Sequence, residues 1–131
     1  MSKNIILIDD NPTENIINEY LIRGANSNAN ISIIDNSNEA ITSLTQTLFD
    51  PENQQKHLVV IDQQMPGMSG LEIIEELEEL IDLDPGKVII YFLTNDNSVR
   101  LQEKSKIIGS IKAILQKPLT PEMAAEILRS A

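Results

Sequence analysis

The amino-acid sequence predicts an α/β protein in which one parallel sheet is covered by helices on both faces. Five short apolar runs alternate along the chain with five segments that begin at helix-capping or helix-forming residues. This alternation is typical of βαβ units, whose strands run parallel. The 131 residues fit one domain with a buried core, so we expect a doubly wound (βα)5 domain over residues 1–131 with no further domain.

The composition excludes several classes of protein. Cysteine is absent, so the chain offers neither disulfides nor thiolate metal sites and suits the reducing cytoplasm. We find no apolar run long enough for a signal peptide or a membrane span. A formal net charge of −10, with two tyrosines, two phenylalanines and no tryptophan, argues against nucleic-acid binding.

The third apolar run, Leu58 to Ile61, stops at Asp62. A continuous apolar run suits a strand buried on both faces in the middle of a parallel sheet. Turn-forming residues then predict a loop: Pro66, Gly67 and Gly70. Ser69 and Glu72 form a capping box, so a helix begins there and turns Leu71, Ile74 and Leu77 inward.

The first apolar run, Ile5 to Ile8, is followed by a helix with its own start signals. Asn11 can cap it, with Pro12 at its first position, and Glu14 completes a capping box. Gly24 is a plausible end. The predicted inward stripe consists of Ile16, Ile17, Tyr20 and Leu21.

The remaining elements follow the same alternation. The predicted strands are an edge strand at 31–34, a central strand at 88–93 and an edge strand at 111–115. The predicted helices carry Ala40, Ile41, Leu44 and Leu48; Val99 and Leu101 within 97–106; and Met123, Ala124, Ile127 and Leu128 after the cap at Thr120 and Pro121. Residues 50–56 read as a surface loop.

Four of the five strands lead to side chains with useful chemistry: Asp9 with Asp10, then Asp62, Thr94 and Lys117. Each has an ordinary structural explanation: a helix cap, a turn former, a strand-end hydroxyl, or a surface lysine paired with Asp9 or Asp10. Open α/β sheets bind ligands beyond the carboxyl ends of their strands, which lie at one edge. We therefore expect these residues to form one site.

The chain resembles the receiver domain of two-component response regulators over essentially its whole length. The matching features are the acidic pair Asp9-Asp10, the pattern Asp-x-x-Met-Pro-x-Met-x-Gly from Asp62 to Gly70, Thr94, and Lys117-Pro118. The resemblance implies flavodoxin-like topology with strand order 2-1-3-4-5. The first and third strands are neighbours in that order, which brings the three aspartates together.

Three carboxylates within a few ångströms repel one another, and a hard divalent cation relieves the repulsion. The resemblance implies that this cation is Mg²⁺. Asp10 and Asp62 would bind it directly and Asp9 largely through water, while the backbone carbonyl of Gln64 would complete the protein ligands.

The resemblance also implies a reaction. Asp62 would accept a phosphoryl group from a sensor histidine kinase or a histidine phosphotransfer protein, while Lys117 and Thr94 hold phosphoryl oxygens. In the family the Lys117–Pro118 bond is cis. The protein would be a signalling switch that catalyses only its own phosphoryl transfer and slow autodephosphorylation.

Three departures from the family pattern put the output mechanism in doubt. Ile114 replaces an aromatic ring, Asn95 replaces a small residue, and Gly109-Ser110 replaces the usual glycine-alanine. The leading alternative is a pseudo-receiver, a protein-interaction module that signals without phosphorylation. A third interpretation, an aspartyl-phosphate phosphatase, would need a second acidic residue two positions after the nucleophile as general acid, and Gln64 cannot serve. A flavin-binding module would need a phosphate-cradling loop after the first strand, where Asp9 and Asp10 repel phosphate.

Charge suggests a route for output. Residues 1–96 hold 4 Lys/Arg and 17 Asp/Glu, a formal charge of −13, while residues 97–131 hold 6 Lys/Arg and 3 Asp/Glu, a charge of +3. We expect the face built by residues 97–131 to meet an acidic downstream protein, or the helix of a second copy bearing Glu75, Glu76 and Glu79, as a homodimer. An equally good alternative is an ordinary solvated surface. The switch itself should depend on Thr94 and the loop at 95–98.

Overall fold

One five-stranded parallel sheet organises the molecule in the computed structural model, which describes residues 3–49, 55–96 and 98–130. The strands are β1 (Asn4–Ile8), β2 (Asn30–Ile34), β3 (His57–Asp62), β4 (Val88–Thr94) and β5 (Ile111–Gln116). The helices are α1 (Pro12–Ala25), α2 (Ser37–Phe49), α3 (Gly70–Leu80), α4 (Val99–Ile107) and α5 (Pro121–Arg129). The sheet order is β2-β1-β3-β4-β5, and all pairs are parallel, so the predicted fold class is confirmed.

The two faces of the sheet carry separate apolar layers, because side chains alternate along each strand. Ile6 and Ile8 pack towards α2, α3 and α4, whereas Ile5 and Leu7 pack towards α1 and α5. Every residue of β3 is buried, and β2 and β5 form the edges, as predicted. Asp62 therefore closes a strand that is enclosed on all sides.

Helix α3 begins as the sequence predicts. Ser69 Oγ accepts a hydrogen bond from the Glu72 backbone N–H at 3.1 Å, and the Ser69 N–H donates to Glu72 Oε1 at 3.1 Å. The predicted stripe is buried, together with Ile73. This reciprocal cap fixes where the loop after Asp62 ends.

The predicted inward face of α1 is wrong for three of its four residues, and Leu21 alone of the four packs against the core, where it is partly buried. Ile16, Ile17 and Tyr20 are 69%, 51% and 77% exposed. The buried residues of the helix are Asn15, Asn18 and Ile22. Apolar periodicity fails here because two asparagines occupy the face that meets the sheet, which leaves an apolar surface in solvent.

The predicted capping box of α1 is also wrong. Asn11 caps the helix and accepts from the backbone N–H of Thr13 and of Glu14 at 2.9 and 3.2 Å. The Asn11 N–H, which a box would give to Glu14, donates instead to Asp9 Oδ1 at 2.9 Å. The Glu14 side chain is thereby free to point into the strand-end site.

Several boundaries differ from expectation. Gly24 does not end α1, because the helix continues to Ala25. In α4 only Leu101 of the two predicted core residues is buried, while Val99 is 69% exposed. Residues 50–54 of the predicted loop and Asn97 lie outside the described residues. Within the described ranges, no helix is both long and apolar enough to cross a bilayer.

Gly70 is required by close packing against the site. A Cβ added there would lie 2.6 Å from the backbone oxygen of Asp62 and 3.2 Å from Ile61 Cγ1. Real Cβ atoms do not approach backbone oxygens this closely, so any side chain must displace the end of β3.

We predict that Gly70→Ala lowers the free energy of unfolding by roughly 1–3 kcal/mol, because overpacking strains the end of β3. The control is Gly24→Ala, where an added Cβ meets nothing within 4 Å. That change should raise stability by up to about 1 kcal/mol, as alanine is the better helix former. Urea denaturation measures both, and equal effects of the two substitutions would contradict the packing argument.

Candidate functional site at the strand ends

The polar residues that close the strands meet at one edge of the sheet. One carboxylate oxygen from each of Asp9, Asp10 and Asp62 lies within 4.8 Å of the others. Asp9 and Asp62 are each 3% exposed, whereas Asp10 is exposed. The juxtaposition follows from the pairing of β1 with β3, in which Ile8 lies opposite Ile61.

Asp9 is held by three hydrogen bonds around its backbone and side chain. Its N–H donates to the Ile34 carbonyl at 3.1 Å, and its carbonyl accepts from Asn15 Nδ2 at 2.8 Å. Its Oδ1 accepts from the Asn11 N–H. The sequence analysis does not single out Asn15, yet this buried residue ties α1 to the acidic loop.

The second oxygen of Asp9 is available to a ligand. Asp9 Oδ2 is buried and, when both Asp9 and Glu14 are ionised, accepts no hydrogen bond from the described residues. The pKa of Asp9 is raised to about 8, first by burial and then by the neighbouring carboxylates of Glu14 and Asp62, against the lowering effect of the Asn11 N–H. A cation at this position would favour the ionised form.

Lys117 joins two acidic groups at this edge. Its Nζ lies 2.9 Å from Asp62 Oδ1 and 3.1 Å from Glu14 Oε2, and its side chain is 12% exposed. Burial lowers the pKa of Lys117, but the hydrogen bonds and charges of Asp62 and Glu14 outweigh it, so the pKa lies above its ordinary value. Pairing with Asp9 or Asp10, the structural alternative, is wrong. The Lys117–Pro118 bond is cis, as the resemblance implies.

Glu14 is the site residue that the sequence analysis missed. It lies in the first turn of α1, contacts Lys117, and is within hydrogen-bonding reach of Asp9. The pKa of Glu14 is lowered, first by the hydrogen bond to Asp9 and then by Lys117. Its spacing of four residues from Asp10 was a usable signal, since a first-turn side chain points back over the loop that precedes the helix.

The hydroxyl of Thr94 is fully engaged in hydrogen bonds. Thr94 Oγ1 donates to the Asp96 carbonyl at 2.8 Å and accepts from Gln64 Nε2 at 2.7 Å and from the Asp96 N–H at 3.0 Å. The Thr94 carbonyl accepts from the Lys117 N–H at 3.0 Å, which ties the ends of β4 and β5 together. The hydroxyl must therefore leave Asp96 before it can donate to a ligand.

A groove of about 280 Å³ runs from Lys117 along the side of α1. It is lined by Glu14, Ile17, Asn18, Leu93, Asn95, Lys117, Pro118 and Leu119. Ile17 belongs to the exposed face formed by Ile16, Ile17 and Tyr20, which we call the α1 apolar face. This face is therefore continuous with the strand-end site.

Part of the basic surface of α4 is occupied within the chain. Arg100 lies 2.7 Å from Glu75 and Lys104 lies 3.5 Å from the same carboxylate. These contacts join α4 to α3. Arg100, Lys104 and Glu75 therefore already have ion-pair partners within the chain and are not unpaired charges available to a second copy. Ile114 is partly buried against the core layer beneath α4.

The sequence profile of the response regulator receiver domain matches residues 5–129. A two-component response regulator from Cytophaga hutchinsonii is 25% identical, with a TM-score of 0.82 over 98% of this chain and 95% of that one. The chemotaxis protein CheY4 of Vibrio cholerae has a TM-score of 0.73 over 98% of both chains, at 19% identity, which speaks for the fold alone.

Among curated proteins, the chain is 26% identical over 117 residues to a terminal-differentiation-specific adenylate cyclase of Dictyostelium discoideum. The match covers 89% of this chain but only 5% of that protein. It therefore concerns a small segment of a much longer polypeptide.

Proposed function

The chain belongs to the response regulator receiver family, and we propose that it accepts a phosphoryl group on Asp62 and thereby switches the binding of a partner protein. The observation that carries this proposal is the setting of Asp62. Its carboxylate ends the central strand, lies 2.9 Å from the Lys117 ammonium group, and lies within 4.8 Å of two further carboxylates. No other described acidic residue combines these neighbours.

Mg²⁺ fits the acidic cluster, and we propose it as the cofactor. The donors are all oxygens, which this hard cation prefers, and the exposed position of Asp10 leaves room for retained water. The unpartnered Asp9 Oδ2 is an orphaned buried oxygen that a cation would satisfy. Asp9, Asp10, Asp62 and the backbone carbonyl of Gln64 are the proposed ligands, and the bound ion would supply neutralisation of phosphoryl charge.

The proposed reaction is transfer from a phosphohistidine. A carboxylate oxygen of Asp62 forms a bond to phosphorus while the bond from phosphorus to the histidine nitrogen breaks. The nitrogen keeps the electron pair and takes a proton from water. Lys117 then holds one phosphoryl oxygen, because phosphoryl transfer depends on positioning and charge more than on covalent help.

Thr94 is the proposed link between phosphorylation and output. A phosphoryl oxygen offers its hydroxyl a stronger, charged acceptor than the Asp96 carbonyl. Moving the hydroxyl also breaks the hydrogen bond that Gln64 Nε2 donates to Thr94 Oγ1. This change would release the segment between β4 and α4. Since Ile114 carries no ring or hydroxyl, this loop is the more direct route for the signal.

We propose the α1 apolar face as the docking surface for a histidine kinase or histidine phosphotransfer protein. The groove from Lys117 to Ile17 connects this face to the site, so a donor seated there could present its histidine to Asp62. Three large apolar side chains more than half exposed on one helix are unfavourable in water unless a partner covers them. A pseudo-receiver without phosphorylation would need neither the groove nor the intact charged set.

We predict that incubation with Mg²⁺ and acetyl phosphate adds one phosphoryl group and that Asp62→Asn abolishes the addition. The amide removes the nucleophilic carboxylate while keeping its shape. Intact-mass measurement reads the product. The matched control is Asp35→Asn, the same charge change at an exposed position directly after β2. Labelling that persists in Asp62→Asn would place the acceptor elsewhere.

Mg²⁺ should stabilise the fold, because binding relieves repulsion among the three carboxylates. At a tenfold excess over its dissociation constant the ion adds about 1.4 kcal/mol. Thermal melting in MgCl₂, compared with NaCl of the same ionic strength, measures the effect. Asp10→Ala should lose most of the response. A melting curve that Mg²⁺ leaves unchanged would reject the metal site.

If protein phosphodonors dock on α1, a substitution there should slow phosphoryl transfer from proteins but not from small molecules. Ile17→Ser should slow transfer from a phosphorylated histidine phosphotransfer protein by roughly fivefold or more, because truncating a central apolar contact commonly costs over about 1 kcal/mol. Labelling by acetyl phosphate should not change. Val99→Ser alters an exposed apolar side chain on α4, 69% exposed against 51% for Ile17, and serves as the control. Equal slowing in both variants would contradict the assignment of the surface.

A further inference from the structure

Lys117 is shared between two carboxylates, of which only one is the proposed acceptor. Its ammonium group lies 2.9 Å from Asp62 Oδ1 and 3.1 Å from Glu14 Oε2. The two contacts come from different elements, since Asp62 ends β3 and Glu14 lies in the first turn of α1. The ammonium group is therefore held back towards α1 as well as towards the acceptor.

Glu14 also changes the charge of the site. Asp9, Asp10, Asp62 and Glu14 supply four carboxylates against one ammonium group, a formal excess of three negative charges when all are ionised. A bound divalent cation reduces the excess to one, whereas without Glu14 the same site would be neutral. An incoming phosphodonor is itself an anion, so the remaining charge opposes its approach.

We propose that Glu14 is a positioning residue that restrains phosphorylation of Asp62 by small anionic donors, by holding Lys117 and by keeping the cation-loaded site negative. The inference rests on the proposed function, since it presupposes Asp62 as acceptor. Lys117 must move from Glu14 to reach a phosphoryl oxygen, and the phosphoryl group must enter against the Glu14 charge. Glu14 thus disfavours phosphorylation by small acyl phosphates in the cell.

The reaction used as the test is transfer from acetyl phosphate. An Asp62 oxygen bonds to phosphorus, the bond from phosphorus to the acetyl oxygen breaks, and acetate leaves with the electron pair. No additional proton or co-reactant is needed. The rate therefore reports on the charge and position of the groups around Asp62.

Glu14→Gln should increase the rate of Asp62 labelling by acetyl phosphate in Mg²⁺ by about three- to tenfold at low ionic strength. The difference should shrink to about twofold or less near 1 M salt, where screening acts within a few ångströms. The matched control is Glu19→Gln. It makes the same charge change on the same helix, where Glu19 pairs with Arg23 at 3.0 Å, and it should leave the rate unchanged.

A second readout does not depend on phosphorylation. Because Glu14 adds negative charge beside the cation site, Glu14→Gln should weaken Mg²⁺ binding by roughly twofold or more in calorimetric titration. Loss of folding could slow labelling but could not accelerate it. Circular dichroism of both variants checks that the fold is kept.

The outcomes separate this inference from the proposed function. Labelling of wild type on Asp62 at the same rate as Glu14→Gln, or faster, overturns the role of Glu14 and leaves the acceptor in place. Acceleration in both Glu14→Gln and Glu19→Gln overturns it as well, because net charge alone would then explain the effect. Absence of label on Asp62 in every variant overturns the proposed function, and this inference with it.

Discussion

The ion pair between Lys117 and Asp62 is the interaction on which the site depends. It joins the ends of β5 and β3, which are not neighbours, across the end of β4, where Thr94 lies. Both side chains are largely buried, and a buried charge is strongly destabilising without its partner. The ion pair therefore forms only when β3, β4 and β5 end in register. The same requirement explains the backbone bond from Lys117 to Thr94 and the close contact of Gly70 with Asp62.

Much of the fold follows from local signals in the sequence. The apolar runs of β1, β3 and β4 are continuous because helices cover both faces, and their short length between turn residues favours strands over helices. The caps at Ser69 and Thr120 involve neighbouring residues only, so spacing alone predicts them. The gathering of Asp9, Asp10 and Asp62 then follows from strand order, which came from the family resemblance rather than from any local pattern.

The wrong predictions for α1, its capping box and its inward face, share a physical cause. In both, tertiary partners compete with the local partners that the sequence pattern indicates. Glu14 satisfies a capping rule by spacing, but Asp9 takes the Asn11 N–H and Lys117 offers Glu14 a charged partner. Asn15 and Asn18 lie on the buried face of α1, and Asn15 holds the acidic loop through its hydrogen bond to the Asp9 carbonyl. Apolar periodicity alone cannot identify a polar side chain that is buried because it binds a neighbouring loop.

The central claim is that Asp62 forms the acyl phosphate, and borohydride trapping tests it most directly. Reduction of an aspartyl phosphate yields homoserine, whose position peptide mass spectrometry locates. After incubation with Mg²⁺ and acetyl phosphate, the account predicts homoserine at position 62 and at no other acidic residue. Homoserine at position 9 or 10, 5-hydroxynorvaline (the reduction product of a glutamyl phosphate) at position 14, or the absence of homoserine from a chain that binds Mg²⁺ normally would contradict it.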